Sequence, residues 1–337
     1  MPLEAVGKSQ TPNTKIPNKA PISDKLQIVF MGTAELSCAS LRALLAGPNF
    51  QVVAVVTQPD KPRGRNLKLQ PSPVKALAVS HGLPILQPPR ARNEEFIQQL
   101  RNFAPELITV AAYGQILPTS ILEMPRLGCL NVHTSLLPKY RGAAPIQWAM
   151  LNDESETGVT IMKMNAGLDT GDILTQEKTI IAAEDTAESL HDRLAEMGAC
   201  LLARTIPGYA AGRIQPQPQP ATGVSLAPKI KKENGRLDWK LPARALWNKV
   251  RALVPWPVAF AFLENEGEPT LLKIWRAEMA EGAAGPGEIL QADNAGIVVA
   301  CGCDALRITE LQREGGRRLK AHEFLAGHKL KASQRFQ

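Results

Sequence analysis

Residues 26–57 read LQIVFMGTAELSCASLRALLAGPNFQVVAVVT. Two short apolar runs, 26–33 and 52–57, are rich in the β-branched residues that favour strands. Between them lies a helix-like segment that ends at Gly47 and Pro48, two residue types that commonly terminate helices. A strand, a helix and a strand at this spacing predict a parallel βαβ unit.

The same alternation continues along the chain. Helix-like and strand-like segments follow, namely PVKALAVSHG, LPILQ, EEFIQQLRNF, LITVAAYG (107–114), GCLNVH (128–133), VTIMKM (159–164) and DILTQEKTII (172–181). Near-continuous apolar strands are typical of a parallel sheet that is covered on both faces. We therefore predict a doubly wound, Rossmann-like α/β domain whose last helix ends at Pro207 and Gly208.

Composition divides the chain into four segments. Residues 1–24 are polar, and we expect a disordered extension there. Residues 25–212 form the α/β domain, and residues 213–227, with the Pro- and Gln-rich run IQPQPQPATG, are expected to be an extended linker outside either core. Residues 228–337 contain short strand-like runs, including KIKKENGRLDWK and RALVPWPVAFAFLE, which predict a small β barrel or sandwich. Either form fits these runs.

The net charge of +7 is unevenly distributed over the 337 residues. Residues 211–337 hold 19 Lys and Arg against 13 Asp and Glu, whereas residues 1–210 hold 20 against 19. A basic C-terminal part suits a polyanionic partner, with nucleic acid the first candidate. A solvated basic surface without a partner would have the same composition.

The composition also bears on location and on metals. No window holds about 18 consecutive apolar residues, so no membrane span is predicted. The first residues have neither the apolar stretch of a secretory signal nor the Arg-rich composition of a transit peptide, and we expect a cytoplasmic protein. The five cysteines are scattered and odd in number, which argues against a disulfide framework and a zinc site. We expect no metal.

Polar residues follow the strand-like run GCLNVH, where ligands of an open parallel sheet bind. Asn131 and His133 are two apart, so they project to the same side of an extended strand. A buried, hydrogen-bonded histidine and a turn-forming Asn would give the same pattern. The loop that follows, TSLLPKYRGAAP, is polar and basic rather than core-like, which favours a functional pair.

A third polar cluster, GLDTGDIL (167–174), places Asp169 and Asp172 between two strand-like runs. A β-turn that favours Asp and Gly would explain it equally well. If an Asn, a His and an Asp converge, the amide can donate to an oxyanion, the imidazole can move a proton and the carboxylate can orient the imidazole. This arrangement suits acyl transfer directly to an amine. The sequence has no nucleophile elbow and no dinucleotide fingerprint.

The segment TQPDKPRGRNLKLQPSPVK (57–75) is longer than the usual connection after a strand of such a sheet. It carries four Pro and five basic residues against one Asp. A solvated surface loop fits this composition, and so does a loop that contacts phosphate or bases.

Several stretches together resemble the methionyl-tRNA formyltransferase family, from about residue 26 to the C-terminus. They are QPDKPRGR, PSPVKALA, AAYGQILP, PRLGCLNVHTSLLPKYRGAAPIQWAML, ETGVTIMKMNAGLDTGDIL and PWPVAF. The N-V-H-x-S-L-L-P and L-D-T-G-D segments are shared by the wider family of formyltetrahydrofolate-dependent formyltransferases. QPDKPRGR together with PSPVK narrows the resemblance to the family that acts on tRNA.

The resemblance implies transfer of a formyl group from 10-formyltetrahydrofolate to the α-amine of methionyl initiator tRNA. The family's catalytic residues correspond to Asn131, His133 and Asp169. Its folate-binding run corresponds to Ser135, Leu136, Leu137 and Pro138, with FMG (30–32) and AAYG (111–114) nearby. The basic loop matches one that approaches the acceptor end of the tRNA, and the implied contacts are Arg63, Arg65 and Lys68.

Two other functions share part of this pattern. Another formyltetrahydrofolate enzyme, acting on a sugar-nucleotide amine or hydrolysing the donor, would use the same Asn, His and Asp. A non-catalytic RNA-binding protein derived from an enzyme would keep the basic charge, but the three catalytic positions are intact here. We expect a monomeric enzyme with a Rossmann-like domain followed by a smaller OB-like β-barrel domain. Its expected partners are the formyl donor and the initiator tRNA.

Overall fold

The computed structural model describes residues 25–63, 68–265, 267–328, 330 and 334–337, so the extension expected at 1–24 lies outside the described residues. The first eleven strands are β1 (Leu26–Gly32), β2 (Phe50–Val56), β3 (Lys61–Arg63), β4 (Lys68–Gln70), β5 (Ile85–Leu86), β6 (Leu107–Ala111), β7 (Cys129–His133), β8 (Arg141–Gly142), β9 (Glu156–Lys163), β10 (Asp172–Ile180) and β11 (Leu226–Ala227). The helices among them are α1 (Leu36–Ala46), α2 (Pro73–Ser80), α3 (Glu94–Asn102), α4 (Thr119–Leu122), α5 (Pro145–Leu151) and α6 (Ala187–Ala210).

Seven of these strands form one sheet in the order β10-β9-β7-β6-β1-β2-β5. The five strands from β7 to β5 are parallel, which confirms the predicted Rossmann-like sheet. β9 and β10 run antiparallel at one edge. Apolar clusters cover both faces of the sheet, which is why the central strands read as continuous apolar runs.

The prediction that Pro207 and Gly208 end the last helix of this domain is wrong. α6 continues through both residues to Ala210. Proline inside a helix removes one backbone hydrogen bond and costs about 3 kcal/mol or more. Packing offsets that cost, since α6 buries a long apolar face against α1 and β9, ending with Ile206 beside the proline.

The C-terminal part is an antiparallel sheet with two helices. Its elements are a 3₁₀ helix (Lys232–Gly235), α7 (Ala243–Ala252), β12 (Ala259–Leu263), β13 (Thr270–Ala280), β14 (Ile289–Asp293), β15 (Gly296–Ala300), β16 (Ala305–Arg313), β17 (Arg318–Lys320) and α8 (Ala321–Gly327). The strand order is β12-β13-β16-β15-β14, and β17 pairs with β16. Only the coarse prediction of a small β domain is confirmed by this sheet.

Two runs taken as strand-like from the sequence contain helix. KIKKENGRLDWK holds the 3₁₀ helix, whereas RALVPWPVAFAFLE begins with the last two residues of α7 and does contain β12, which starts after Pro257. In α7 the buried residues Ala243, Leu246 and Val250 recur at helical spacing. The apolar residues 252–254 resembled a strand because so short a run cannot show which period it follows.

The last residues of the chain contact both outer strands of this sheet. The Gln337 amide donates to the Phe262 carbonyl of β12 at 2.8 Å. The Ile289 amide of β14 donates to the Gln334 carbonyl at 2.9 Å. Residues 334–337 therefore hydrogen-bond along each edge that β12 and β14 would otherwise expose.

Residues 213–227, expected to be a free spacer, are bonded to the α/β domain. Gln217 exchanges backbone hydrogen bonds with Ile173 of β10 at 2.8 and 2.9 Å. Further on, β11 pairs in parallel with β8. Pro and Gln give no apolar periodicity, so the sequence did not indicate these contacts, which are made by backbone and amide groups.

The α/β and C-terminal parts contact each other through α5 and α7. The Arg244 guanidinium pairs with the Asp153 carboxylate at 2.7 Å, and Asn248 donates to the same carboxylate at 2.9 Å. The buried Arg251 donates to the Ala182 carbonyl at 2.9 Å. Within the ranges described, no helix is long and apolar enough to cross a membrane.

A buried carboxylate stabilises the start of α6. Asp185 accepts hydrogen bonds from Arg193 at 2.7 Å, from the Ala182 amide at 2.8 Å and from Ser189 at 2.9 Å. Burial raises the pKa of the Asp185 carboxyl, but these hydrogen bonds outweigh it and hold the pKa below its ordinary value. The carboxylate therefore stabilises the fold above its unfolded pKa of about 3.9 and loses that effect as the pH falls.

We predict that Asp185→Asn lowers the free energy of unfolding at pH 7 by about 1–3 kcal/mol, because buried donors lose a charged acceptor. The difference from wild type should shrink as the pH falls below about 4 and then through the lower pKa of the folded wild-type carboxyl, where that carboxyl becomes protonated. Urea denaturation of the variant and the wild type, at pH 7 and below about pH 4, measures this difference in the free energy of unfolding. Asp192→Asn on the same helix, whose side chain is 75% exposed, is the control and should change little. A pH-independent loss in Asp185→Asn would contradict the prediction.

Candidate active site

The polar residues lie where the central strands of the sheet end. β1 and β6 are neighbours, and the chain leaves them toward opposite sides of the sheet, which creates a crevice at their carboxyl ends. FMG ends β1 and AAYG follows β6. Phe30, Met31 and Tyr113 point into the core, whereas Ala112 and Gly114 are exposed. A ligand in the crevice therefore meets mainly the backbone and small residues of these two motifs.

His133, the last residue of β7, is buried, with only 6% of its side chain exposed. Its Nε2 lies 3.0 Å from the Tyr140 carbonyl oxygen. A carbonyl can only accept, so Nε2 carries a proton and donates it. This contact leaves Nδ1 as the nitrogen that can gain and lose a proton, and Nδ1 lies 3.8 Å from Oδ2 of Asp169.

Asp169 lies in the turn between β9 and β10, with φ of 50°. Its Oδ2 accepts a hydrogen bond from the Gly142 amide at 2.8 Å. The separation from the His133 ring is too long for a direct hydrogen bond, but it is short enough for a charge interaction when the imidazole is protonated. The structure thus brings His133 and Asp169 together from segments 36 positions apart in the sequence.

Asn131 precedes His133 by two residues on β7, between Val110 of β6 and Met162 of β9. Its side chain is half-buried. Within the described ranges its carboxamide makes no hydrogen bond, so both amide protons are available to a ligand. Being two apart on one strand, Asn131 and His133 project from the same face of the sheet.

Three residues around the crevice have backbones in the left-handed region, which disfavours side chains other than Gly. Ala112, Tyr140 and Asp169 have φ of 40°, 62° and 50°. Such conformations cost of order 1–3 kcal/mol each and concentrate at functional sites. Here one follows β6, one holds the His133 ring through its carbonyl, and one carries the carboxylate.

The run implied to bind folate forms an internally bonded loop. Ser135 is fully buried and its hydroxyl donates to the Lys139 carbonyl at 2.6 Å. The Leu137 amide and the Ser135 carbonyl both bond to Thr160 Oγ1, at 3.1 and 2.6 Å. Leu137 is buried as well, whereas Leu136 and Pro138 are half-buried. The loop is therefore rigidly placed beside His133, and its partly exposed members offer the surface.

Side-chain contacts join the two ends of the basic loop (57–75). The Thr57 and Ser72 hydroxyls bond at 2.7 Å, and Asp60 pairs with Lys75 at 2.6 Å. Between these two ends, β3 and β4 form an antiparallel hairpin. Arg65 lies outside the described residues, and for Arg63 and Lys68 only the backbone within the hairpin is described.

Three parts of the site were not predicted from the sequence. The Tyr140 carbonyl and the Gly142 amide are backbone groups, which have no residue-type signature. Gln219, in the expected spacer, donates to the Asp169 carbonyl. The one available signal was Gly142 in KYRG, since a glycine in a polar loop often marks a close backbone approach.

Comparison with known proteins identifies the family. The family model described as formyl transferase matches residues 26–206, and the model described as formyl transferase, C-terminal domain matches residues 229–329. These matches cover most of the chain. The chain therefore belongs to the formyl transferase family, a class of enzymes that transfers formyl groups.

The curated relatives narrow the similarity to one member of that class. A methionyl-tRNA formyltransferase from Citrifermentans bemidjiense is 50% identical over 305 residues, which cover 90% of this chain and 94% of the relative. One of the same name from Myxococcus xanthus is 48% identical, covering 90% of this chain and 96% of the relative.

Solved structures show the same fold at low sequence identity. An N-formyltransferase from Helicobacter canadensis, in complex with folinic acid and dTDP-3-aminofucose, has a TM-score of 0.63 at 18% identity, covering 87% of this chain and 100% of that one. HypX from Aquifex aeolicus in complex with tetrahydrofolic acid has a TM-score of 0.61 at 16% identity, covering 92% of this chain. The present chain spans about half of HypX, 49% of its length.

We predict that Gly142→Ala lowers turnover. The backbone φ of Gly142 is 129°, and a Cβ there would lie 2.5 Å from the Ala227 carbonyl oxygen. β8 must therefore shift, which lengthens the hydrogen bond from the Gly142 amide to the Asp169 carboxylate. Misplacing a catalytic group by about 1 Å can lower the rate up to a hundredfold.

Steady-state kcat measures the effect. Gly223→Ala is the control, because Gly223 also has a positive φ, of 77°, but has no atom within 4 Å of an added Cβ. Equal activity in Gly142→Ala and Gly223→Ala would show that the Gly142 contact is unimportant.

Proposed function

We propose that this protein transfers the formyl group of 10-formyltetrahydrofolate to the α-amine of methionyl initiator tRNA, giving N-formylmethionyl-tRNA for translation initiation. The observation that carries the proposal is the placement of His133 Nδ1 opposite Asp169 Oδ2. Asn131 lies on the same strand as His133, and its carboxamide makes no hydrogen bond within the described residues. Relatives at 46–50% identity over about 90% of the chain, all named methionyl-tRNA formyltransferases, support the choice of acceptor.

The three side chains have distinct parts in this reaction. The bound donor supplies a formyl group that is activated toward an amine. The Asn131 amide donates a hydrogen bond to the formyl oxygen as that oxygen gains negative charge. His133 accepts the proton of the attacking amine on Nδ1 and returns it to the leaving nitrogen, because Nε2 is committed to the Tyr140 carbonyl. Asp169 stabilises the positive charge on the imidazole across the 3.8 Å separation.

The proposed donor site lies along the Ser135–Pro138 loop. A formyl donor needs hydrogen-bond donors near its carbonyl and an apolar wall for its ring system, and no charged ligand set. Asn131 supplies the donors, and the half-buried Leu136 and Pro138 supply apolar surface. Within the described ranges no group of three or more His, Cys, Asp or Glu could hold a metal ion, and the proposed roles require none.

The proposed tRNA surface combines the hairpin loop with the C-terminal domain. We assign Arg63, Arg65 and Lys68 to contacts with the acceptor end. We also propose that residues 228–337 form an OB-like barrel that binds tRNA. The hydrogen bonds of residues 334–337 to both β12 and β14 support closure of that sheet, and the excess of basic residues after position 211 suits a polyanion.

The proposal includes the setting of the reaction. We propose a monomeric, cytoplasmic enzyme, because its tRNA acceptor is made and used in that compartment. The domain limits, 25–212 for catalysis and 228–337 for tRNA binding, are part of the same proposal. The two family-model matches fall on either side of the linker at 213–227, which supports this division.

Formylation with a labelled donor tests the function directly. The protein is incubated with 10-formyltetrahydrofolate and, in separate reactions, with charged initiator tRNA, charged elongator methionine tRNA, a sugar-nucleotide amine or buffer alone. Label should enter methionyl-tRNA. Label in the sugar nucleotide or release of formate alone would indicate one of the two other formyltetrahydrofolate activities.

We predict that His133→Ala abolishes formyl transfer and that Asn131→Ala lowers it by about a hundredfold or more, since a single oxyanion donor contributes that much. The melting temperature should change little in Asn131→Ala, because the Asn131 carboxamide makes no hydrogen bond to any described residue. Single-turnover rates and thermal melting measure the two effects. A large fall in melting temperature with substantial remaining activity in His133→Ala would instead indicate a structural histidine.

We predict that Arg65→Ala weakens use of initiator tRNA far more than use of the donor. The KM for tRNA should rise while the KM for 10-formyltetrahydrofolate stays close to wild type. Affinity for tRNA should also fall steeply with salt in the wild type and less steeply in the variant, because each phosphate contact releases counterions. Equal effects on both substrates would contradict the assignment of Arg65.

A further inference from the structure

The linker contributes side chains to the edge of the candidate active site. Besides the β8–β11 pairing, the Ser225 hydroxyl accepts a hydrogen bond from the Tyr140 amide at 2.9 Å. Tyr140 is the residue whose carbonyl holds the His133 ring. The linker is therefore bonded to the loop that orients one catalytic side chain.

Gln219 bonds directly to the backbone of Asp169, the other catalytic residue of the pair. Its Nε2 donates to the backbone carbonyls of Asp169 and Gly171, both at 2.8 Å. Its Oε1 accepts from Nε and from a terminal nitrogen of Arg141, at 3.1 and 2.7 Å. Both amide protons and both lone pairs of the carboxamide are thus used, which a half-buried Gln achieves only in a well-matched environment.

These four hydrogen bonds connect the turn that contains Asp169 and Gly171 with Arg141 of β8. The Asp169 carboxylate lies between these two segments. On one side, they fix the carbonyl of Asp169, whose backbone is in the strained left-handed region. On the other, they fix Arg141, and the next residue, Gly142, donates its amide to the Asp169 carboxylate. Among the described residues, Gln219 supplies the hydrogen bond that the carbonyl of this strained residue accepts.

We propose that Gln219 is a positioning residue that holds Asp169 opposite His133, and that the linker is thereby part of the active site. Gln219 acts through the carbonyls of Asp169 and Gly171 and through Arg141, without touching the reacting atoms. The proposal rests on the role given to Asp169 under the proposed function. It explains why a Pro- and Gln-rich segment lies along the sheet edge instead of projecting into solvent.

Three variants test the proposal. Gln219→Glu is isosteric and keeps acceptors for Arg141, but it loses both amide donors and places an oxygen against two carbonyls. Gln219→Ala removes all four hydrogen bonds. Gln217→Ala is the matched control, because that exposed residue of the same segment bonds to Ile173 through its backbone alone among the contacts described.

We expect kcat for formyl transfer to fall by about ten- to a hundredfold in Gln219→Glu and Gln219→Ala, because the carboxylate is misplaced. KM for the donor and for tRNA, and the melting temperature, should stay close to wild type. Gln217→Ala should match wild type throughout. Wild-type kcat in Gln219→Glu would overturn the proposal, and so would a loss of melting temperature with parallel changes in kcat and both KM values.

A second measurement does not depend on turnover. Hydrogen exchange of the Gly142 amide reports whether its bond to the Asp169 carboxylate persists. Exchange should be faster in both Gln219 variants and unchanged in Gln217→Ala; unchanged exchange in all three would overturn the proposal. If the wild type fails to formylate methionyl-tRNA, the proposed function fails, but the exchange rates still decide whether Gln219 positions Asp169.

Discussion

The amide of Gly142 holds the carboxylate of Asp169 at 2.8 Å, and this contact joins the segments that make up the site. β8 must lie close to the turn after β9 for the bond to form. The close pairing of β8 with β11 also requires glycine at 142, because a Cβ there would lie 2.5 Å from the Ala227 carbonyl oxygen. His133, fixed through Nε2 by a carbonyl two residues before Gly142, then presents Nδ1 to the same carboxylate. One short loop, 140–142, thus sets both partners of the pair.

The sheet supplies the rigid frame for this loop. Asn131 and His133 are carried by β7, which lies between β6 and the antiparallel strand β9. Strand pairing fixes Asn131 on both sides and His133 on the β9 side. Groups placed on strands are held more firmly than groups on loops. Asp169, in contrast, lies in a turn, and its placement depends on hydrogen bonds from Gly142 and Gln219. Because Asn131 and His133 lie on a strand and Asp169 lies in a turn, contacts outside the sheet matter most for the position of the Asp169 carboxylate.

Much of the fold was predictable, for identifiable reasons. Buried parallel strands are long apolar runs, and β1, β2, β6 and β7 were found from that signal. The run that begins at Arg251 was taken as strand-like although α7 ends at Ala252, because the apolar residues 252–254 are too few to show a period. The passage of α6 through Pro207 was missed because local propensity says nothing about packing. The linker was interpreted as a spacer because its bonds are made by backbone and amide groups, which leave no periodic pattern.

The sequence by itself determined the parallel sheet, the basic C-terminal part and the residue types suited to formyl transfer, because apolar periodicity, charge and local motifs are properties of neighbouring residues. The tertiary structure alone decided that Nδ1 is the free nitrogen of His133, that Gly142 and Gln219 hold Asp169, and that residues 334–337 contact both edges of the C-terminal sheet. These are contacts between groups distant in the chain, and many are made by backbone atoms that every residue shares.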